Sequence, residues 1–147
     1  MIAKLRHFIA TLTSATSTEQ DQVSLQLACA VLLTEIMRAD GNSDDDERAA
    51  IIAQLAQHFA LSKVELTEIL TSAELLSEQA TDFYQFTSKI NKNYTINDKI
   101  KLLDMLWQVA NADGEISAIE QHTIRKIADL LHLRHNEYVR SKLKITP

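Results

Sequence analysis

The chain has 147 residues, a formal net charge of −5, one cysteine, two glycines and one proline. This length is typical of one domain. Turns and strand-rich folds use glycine and proline heavily, so their scarcity predicts an all-helical fold. A single cysteine excludes an intrachain disulfide framework. Residues 15–82 carry 13 acidic and 3 basic side chains, which argues against a nucleic-acid surface.

The first residues predict a short amphipathic helix and a linker. Residues 2–12 place apolar side chains on one helical face, and such a helix docks either on its own domain or on a membrane surface or partner. Residues 13–20 are small and polar, as in linkers. No apolar run is long enough for a transmembrane span or uninterrupted enough for a signal peptide. We therefore expect a cytoplasmic protein.

Three helices are predicted in the first half of the remaining chain. Residues 21–39 are apolar on nearly every side, which is typical of a helix buried by several neighbours. A second helix is predicted from Asp44 to Phe59. A third, over 63–76, follows Ser62, which with a glutamate three residues later forms a capping box.

Four further helices are predicted after that. A short one covers about 82–91, and a longer one runs from a capping pair at Thr95 through about Ala112. Another follows a capping box at Ser117, and the last spans about 135–143. We expect the helices to bury their apolar stripes against one another in a bundle.

Apolar residues at helical spacing predict the core. Cys29 lies in the most apolar run and is interpreted as a small core residue. Trp107 is interpreted as a core anchor rather than a ligand platform. Val64, Ile96 and Leu143 are also assigned to inward faces.

One stretch occurs twice and contains both glycines. Each copy reads Ala-Asp-Gly, with a glutamate six residues after the glycine: Asp40, Gly41 and Glu47, then Asp113, Gly114 and Glu120. Apolar residues around the two copies also align, which indicates a three-helix unit used twice. The glycines would end a helix in the left-handed conformation that glycine adopts readily.

The repeat defines the expected architecture. We predict an all-α, single-domain bundle of about seven to eight helices, built from two pseudo-symmetric three-helix repeats over about 21–77 and 95–145. The helical domain would cover 21–147, preceded by the short helix and linker of 1–20. The two most apolar helices would pack together at its centre.

The repeated turn also carries a metal-site hypothesis. An aspartate at a helix C-terminus is disfavoured by the helix dipole, yet both copies have one. Hydrogen bonds from free amides would compensate for this, and so would a divalent cation shared with the glutamate. The candidate ligands are Asp40, Glu47, Asp113 and Glu120, with Asp44 and Glu115 as possible additional acids. This all-oxygen set suits Ca²⁺, Mg²⁺ or Mn²⁺.

The acids have two other interpretations. Glu47 and Glu120 stand where a capping glutamate stands, so both can be explained with no ligand. If the second turn is numbered as an EF-hand calcium loop, Gly114 is at position 6 and Glu120 at position 12. The first ligand position is then the apolar Val109. An EF-hand is therefore not expected.

No catalytic constellation occurs in the sequence. It contains no glycine-rich phosphate loop, no Cys-His pair pattern and no Gly-x-Ser-x-Gly. A metal-dependent hydrolase would need a nucleophile beside the acids, and the pattern supplies none. We expect a protein that is not an enzyme.

The segments "MRADGNSDDDE" and "VANADGEISAIE", each followed by an apolar helix, resemble the tellurite-resistance TerB-like family. They also resemble the N-terminal domain of DjlA co-chaperones. The likeness covers about 25–143. It implies an all-helical, pseudo-twofold domain that binds a divalent metal through the acids of both turns. It further implies a role in stress response and an unknown protein partner in membrane-linked complexes. Asn42-Ser43 departs from the family pattern, since it lacks the apolar residue that Ile116 supplies in the second turn.

Overall fold

The computed structural model describes residues 18–39, 41, 45–80 and 82–145, with side chains described from residue 25 onward. These residues form seven α-helices and no β-strand. The helices are α1 Thr18–Arg38, α2 Asp45–Phe59, α3 Lys63–Gln79, α4 Tyr84–Asn93, α5 Ile96–Ala110, α6 Ala118–Leu130 and α7 His135–Ile145. The prediction of an all-α helical bundle is confirmed. The predicted helix at 2–12 lies outside the described residues.

Helix α1 is the centre of the bundle. It packs against five other helices, α2 to α6, and its residues 27–34 are all buried. A helix surrounded on this many sides has no face for polar side chains, which explains the unbroken apolar run. The helix begins at Thr18, three residues earlier than predicted and inside the segment interpreted as linker.

Helix α5 is the second core element. It packs against α1, α2, α6 and α7, and its Trp107 is completely buried. The prediction that the two most apolar helices meet is confirmed, because α1 and α5 are in contact. Cys29 is also completely buried, as expected.

Three helices begin with the predicted capping boxes. Ser62, Thr95 and Ser117 each accept a hydrogen bond from the amide of the third helical residue, whose carboxylate accepts one from the cap amide. These reciprocal bonds satisfy amides that a helix start leaves without partners. They therefore fix where α3, α5 and α6 begin.

Both glycines adopt positive φ, 81° at Gly41 and 89° at Gly114. A Cβ added at either position would meet no atom within 4 Å. The need for glycine is therefore conformational and not a matter of space. The amides of Gly41 and Gly114 donate to Arg38 and Asn111 at 3.0 and 2.9 Å.

Two more residues share an unusual backbone conformation. Ala60, directly after α2, has a φ of 51°, and His132, two residues after the end of α6, has a φ of 61°. They occupy equivalent places in the aligned repeats, as the two glycines do. These matches agree with the predicted repeat, while a twofold relation between the two halves stays a prediction.

Three of the predicted core residues are instead exposed. Val64, Ile96 and Leu143 expose 64%, 57% and 54% of their surface, so those assignments were wrong. Val64 and Ile96 lie in the first turns of α3 and α5, where fewer neighbours surround a helix. Leu143 lies five residues after the buried Tyr138, which places it about 140° around the helix.

Candidate functional site

The structure describes four of the six candidate acids. Glu47, Asp113, Glu115 and Glu120 lie within the described residues, whereas Asp40 and Asp44 lie outside them. The structure therefore describes every candidate acid of the second turn, but only Glu47 of the first.

Asp113 lies in the turn between α5 and α6. Its side chain is exposed, and its Oδ1 accepts a hydrogen bond from the Glu115 amide at 3.0 Å. This is one of the two compensations expected for an aspartate at a helix C-terminus. The amide belongs to the turn itself and not to the first turn of the next helix. Glu115 is exposed as well.

Glu120 is the buried acid of this turn. Its Oε1 accepts a hydrogen bond from the Ser117 amide at 2.9 Å, and its own amide donates to Ser117 Oγ at 3.1 Å. The residue is only 2% exposed. Its Oε2 is buried and has no hydrogen-bond partner among the described residues. Leaving a buried carboxylate oxygen without a partner is costly.

The cap of α3 shows that a glutamate can cap a helix without being buried. Glu65 makes the same reciprocal bonds with Ser62 at 3.2 Å, but its side chain is exposed. Its hydrogen bonds with the Ser62 side chain and amide lower the pKa of the Glu65 carboxyl. Helix capping therefore needs no burial, and it accounts for only one carboxylate oxygen of Glu120.

Glu47 is buried to the same extent as Glu120, at 2% exposure. Each is the third residue of its helix. The metal hypothesis rested on the aspartates, and the burial of both glutamates was not predicted. A signal was present: each lies four residues before a fully buried isoleucine, Ile51 or Ile124, and so shares its helical face.

The chemistry available at the second turn follows from these positions. The described residues contain no group of three or more His, Cys, Asp or Glu side chains arranged to hold a metal ion. The orphan Oε2 of Glu120 fits a cation ligand, since it is a buried, hard oxygen donor. Asp113 and Glu115 are the other acids of this turn that could add an oxygen ligand.

The Ser117 cap gives a direct stability prediction. Replacing Ser117 with alanine is expected to lower the free energy of unfolding by about 1 kcal/mol, because the Glu120 amide loses its acceptor. Urea denaturation monitored by circular dichroism measures this change. Ser62→Ala is the matched control at an exposed cap. A smaller loss at Ser117 than at Ser62 would contradict the importance of the buried cap.

No helix within the described ranges is long and apolar enough to cross a bilayer.

A match to one protein family covers most of the chain. Residues 26–143 match the family model described as Tellurite resistance protein TerB, a range that includes both Asp-Gly turns. No curated protein and no solved structure gives a match. The resemblance to DjlA co-chaperones stays a prediction. Since the match spans more than half of its length, the chain belongs to the tellurite resistance protein TerB family.

Proposed function

We propose that this protein is a non-enzymatic stress-response protein of the TerB family that binds a divalent cation at its Asp-Gly turns. In the second turn, Glu120 and Asp113 would provide the carboxylate ligands, with Glu115 as an additional acid. In the first turn, Glu47 and Asp40 would do so, with Asp44 added. The cation would be Ca²⁺, Mg²⁺ or Mn²⁺, because the proposed ligands are all oxygens.

The buried Oε2 of Glu120 carries this proposal. Capping by Ser117 uses the other oxygen, and no described group bonds to Oε2. A bound cation would neutralise the carboxylate and supply the missing interaction. Asp113 supports the proposal less strongly, since the Glu115 amide already compensates one of its oxygens.

A second candidate function is a structural interaction module without metal. The complete capping box at Ser117 and the hydrogen bond within the Asp113 turn favour it, because both acids then have structural roles. In that case the acidic segment 15–82 would mainly keep the protein soluble or attract a basic partner. Under either candidate we propose a cytoplasmic protein with a protein partner in a membrane-linked complex.

Glu120→Gln separates the two candidates. The amide oxygen of glutamine still accepts from Ser117, so the cap stays, but the negative charge that a cation needs is lost. A saturating cation is expected to raise the melting temperature of the EDTA-treated wild type by roughly 5–10 °C. The variant is expected to show little or none of this rise. Differential scanning fluorimetry with Ca²⁺, Mg²⁺, Mn²⁺ and EDTA measures it.

The matched control is Glu65→Gln, which changes the equivalent residue of an exposed cap. It is expected to keep the full response to the cation. Equal melting temperatures with EDTA and with each of the three ions would contradict cation binding and favour the structural module.

A further inference from the structure

A polar groove of about 310 Å³ lies between α2 and α5. A volume of this size suits a small ligand. Its polar lining comes from one face of each helix, at spacings of three and four residues: Gln54, Gln57 and His58 on α2, and Lys101, Asp104 and Gln108 on α5.

His58 contacts the half-buried Tyr94, which in turn contacts the buried Cys29. Its Nε2 lies 3.2 Å from the Tyr94 hydroxyl, and the Cys29 thiol donates to that hydroxyl at 3.7 Å. Burial raises the pKa of the Cys29 thiol to about 12, so the thiol keeps its proton and can donate. The Tyr94 hydroxyl is then free to donate its own proton to Nε2. In this arrangement the neutral ring of His58 carries its proton on Nδ1.

The acids near the groove are already engaged. Asp104 accepts hydrogen bonds from Ser141 and from the Lys144 ammonium on α7. Asp98, which acts on His58 electrostatically, caps α5 by accepting from the Thr95 amide at 3.2 Å. The Lys144 ammonium therefore offsets the charge of Asp104, while Asp98 acts on His58 without lining the groove.

The donors that remain point to one class of ligand. Gln54 and Gln108 bond to each other across the groove. Since that bond uses only the oxygen of Gln108, the remaining donors are the Lys101 ammonium, the amide nitrogens of Gln57 and Gln108 and the Nδ1–H of His58. Burial, together with the nearby Lys101, lowers the pKa of His58, although Asp98 opposes this. The neutral His58 ring as a donor and the cationic Lys101 side chain together match a group with negatively charged oxygens.

We propose that this groove binds the oxyanion group of a small molecule, either a carboxylate or a phosphate. Lys101 provides the charge, and Gln57 and His58 provide hydrogen bonds. Tyr94 is a positioning residue that holds the His58 ring in its donor form. The proposal does not depend on cation binding at the Asp-Gly turns.

The test is an NMR titration of the histidine rings with sodium phosphate or sodium acetate at constant ionic strength. The His58 resonances are expected to shift saturably, with half-saturation below about 10 mM. The pKa of His58 is expected to rise, because a bound anion stabilises the imidazolium form. Lys101→Met is expected to abolish the response, and Tyr94→Phe to weaken affinity about fivefold. Lys92→Met, which removes an exposed lysine at the end of α4, is expected to leave it unchanged.

The anions distinguish the two ligand sources. A response to phosphate alone assigns a phosphate group, a response to acetate alone assigns a carboxylate, and responses to both assign the shared oxyanion chemistry. The absence of a saturable shift with either anion would overturn the proposal. An undiminished response in a Lys101→Met variant that melts cooperatively would overturn it too, and so would an equal shift of the exposed His122.

Discussion

Replacing Trp107 with alanine is expected to lower the free energy of unfolding by about 3–5 kcal/mol. Trp107 is the largest fully buried side chain in the described part of the protein. Its ring lies 5.3 Å from the Tyr138 ring on α7, and the Lys142 ammonium lies 5.9 Å from its centroid. Truncation would remove these contacts and leave a cavity between α5 and α7. Urea denaturation measures the loss.

Two controls test the reason for this loss. Trp107→Phe is expected to cost far less, because it keeps a ring and removes an indole N–H that has no hydrogen-bond partner among the described residues. Tyr84→Ala removes an aromatic side chain that is 68% exposed, and it is expected to change stability by less than about 0.5 kcal/mol. A loss below about 1 kcal/mol for Trp107→Ala would contradict the packing described for α5.

Replacing Leu32 with alanine is the second change with a large expected effect. Leu32 is fully buried in the middle of α1, the helix that contacts five others. The helices around α1 are held in place by their other contacts, so they cannot collapse into the cavity that truncation leaves. The free energy of unfolding is therefore expected to fall by about 2–5 kcal/mol. Thermal and urea denaturation measure it.

The control for Leu32 is Val64→Ala on α3. Val64 is 64% exposed, so its truncation is expected to change stability by less than about 0.5 kcal/mol. Comparable losses at Leu32 and Val64 would mean that α1 is not the centre of the core.

The elements predicted correctly are those set by local chemistry. The start of α6 follows from Ser117 and Glu120 three residues apart. Both glycines adopt the expected positive φ, in the turns that follow α1 and α5. The central position of α1 was predicted because its apolar run leaves no polar face. These signals lie within a few residues of the feature that they specify.

What could not be predicted depends on neighbours distant in sequence. Ile96 lies on the buried face of α5 by periodicity, yet this first residue of the helix is 57% exposed. The groove brings together Gln54 and Gln108, which are far apart in the chain. No local sequence pattern predicts such a pairing, since it depends on how α2 packs against α5.

The structure also changes which acid matters most at the repeated turn. Asp113, on which the metal hypothesis first rested, is exposed and has a hydrogen bond from the turn. Glu120 is buried and retains an oxygen that capping does not use. The burial of Glu120 was not evident from the capping pattern, because Glu65 stands in the same pattern and its side chain is exposed.

The most direct test of cation binding is an NMR titration of the ¹⁵N-labelled protein with Ca²⁺ and then Mg²⁺, following the Gly114 and Gly41 amides. These amides lie in the two turns, and their shifts are sensitive to a charge bound there. Cation binding predicts a saturable shift at Gly114 that disappears in Glu120→Gln and persists in Glu65→Gln. A Gly114 amide resonance that does not shift with either ion, or that shifts equally in Glu120→Gln, would contradict cation binding at this turn.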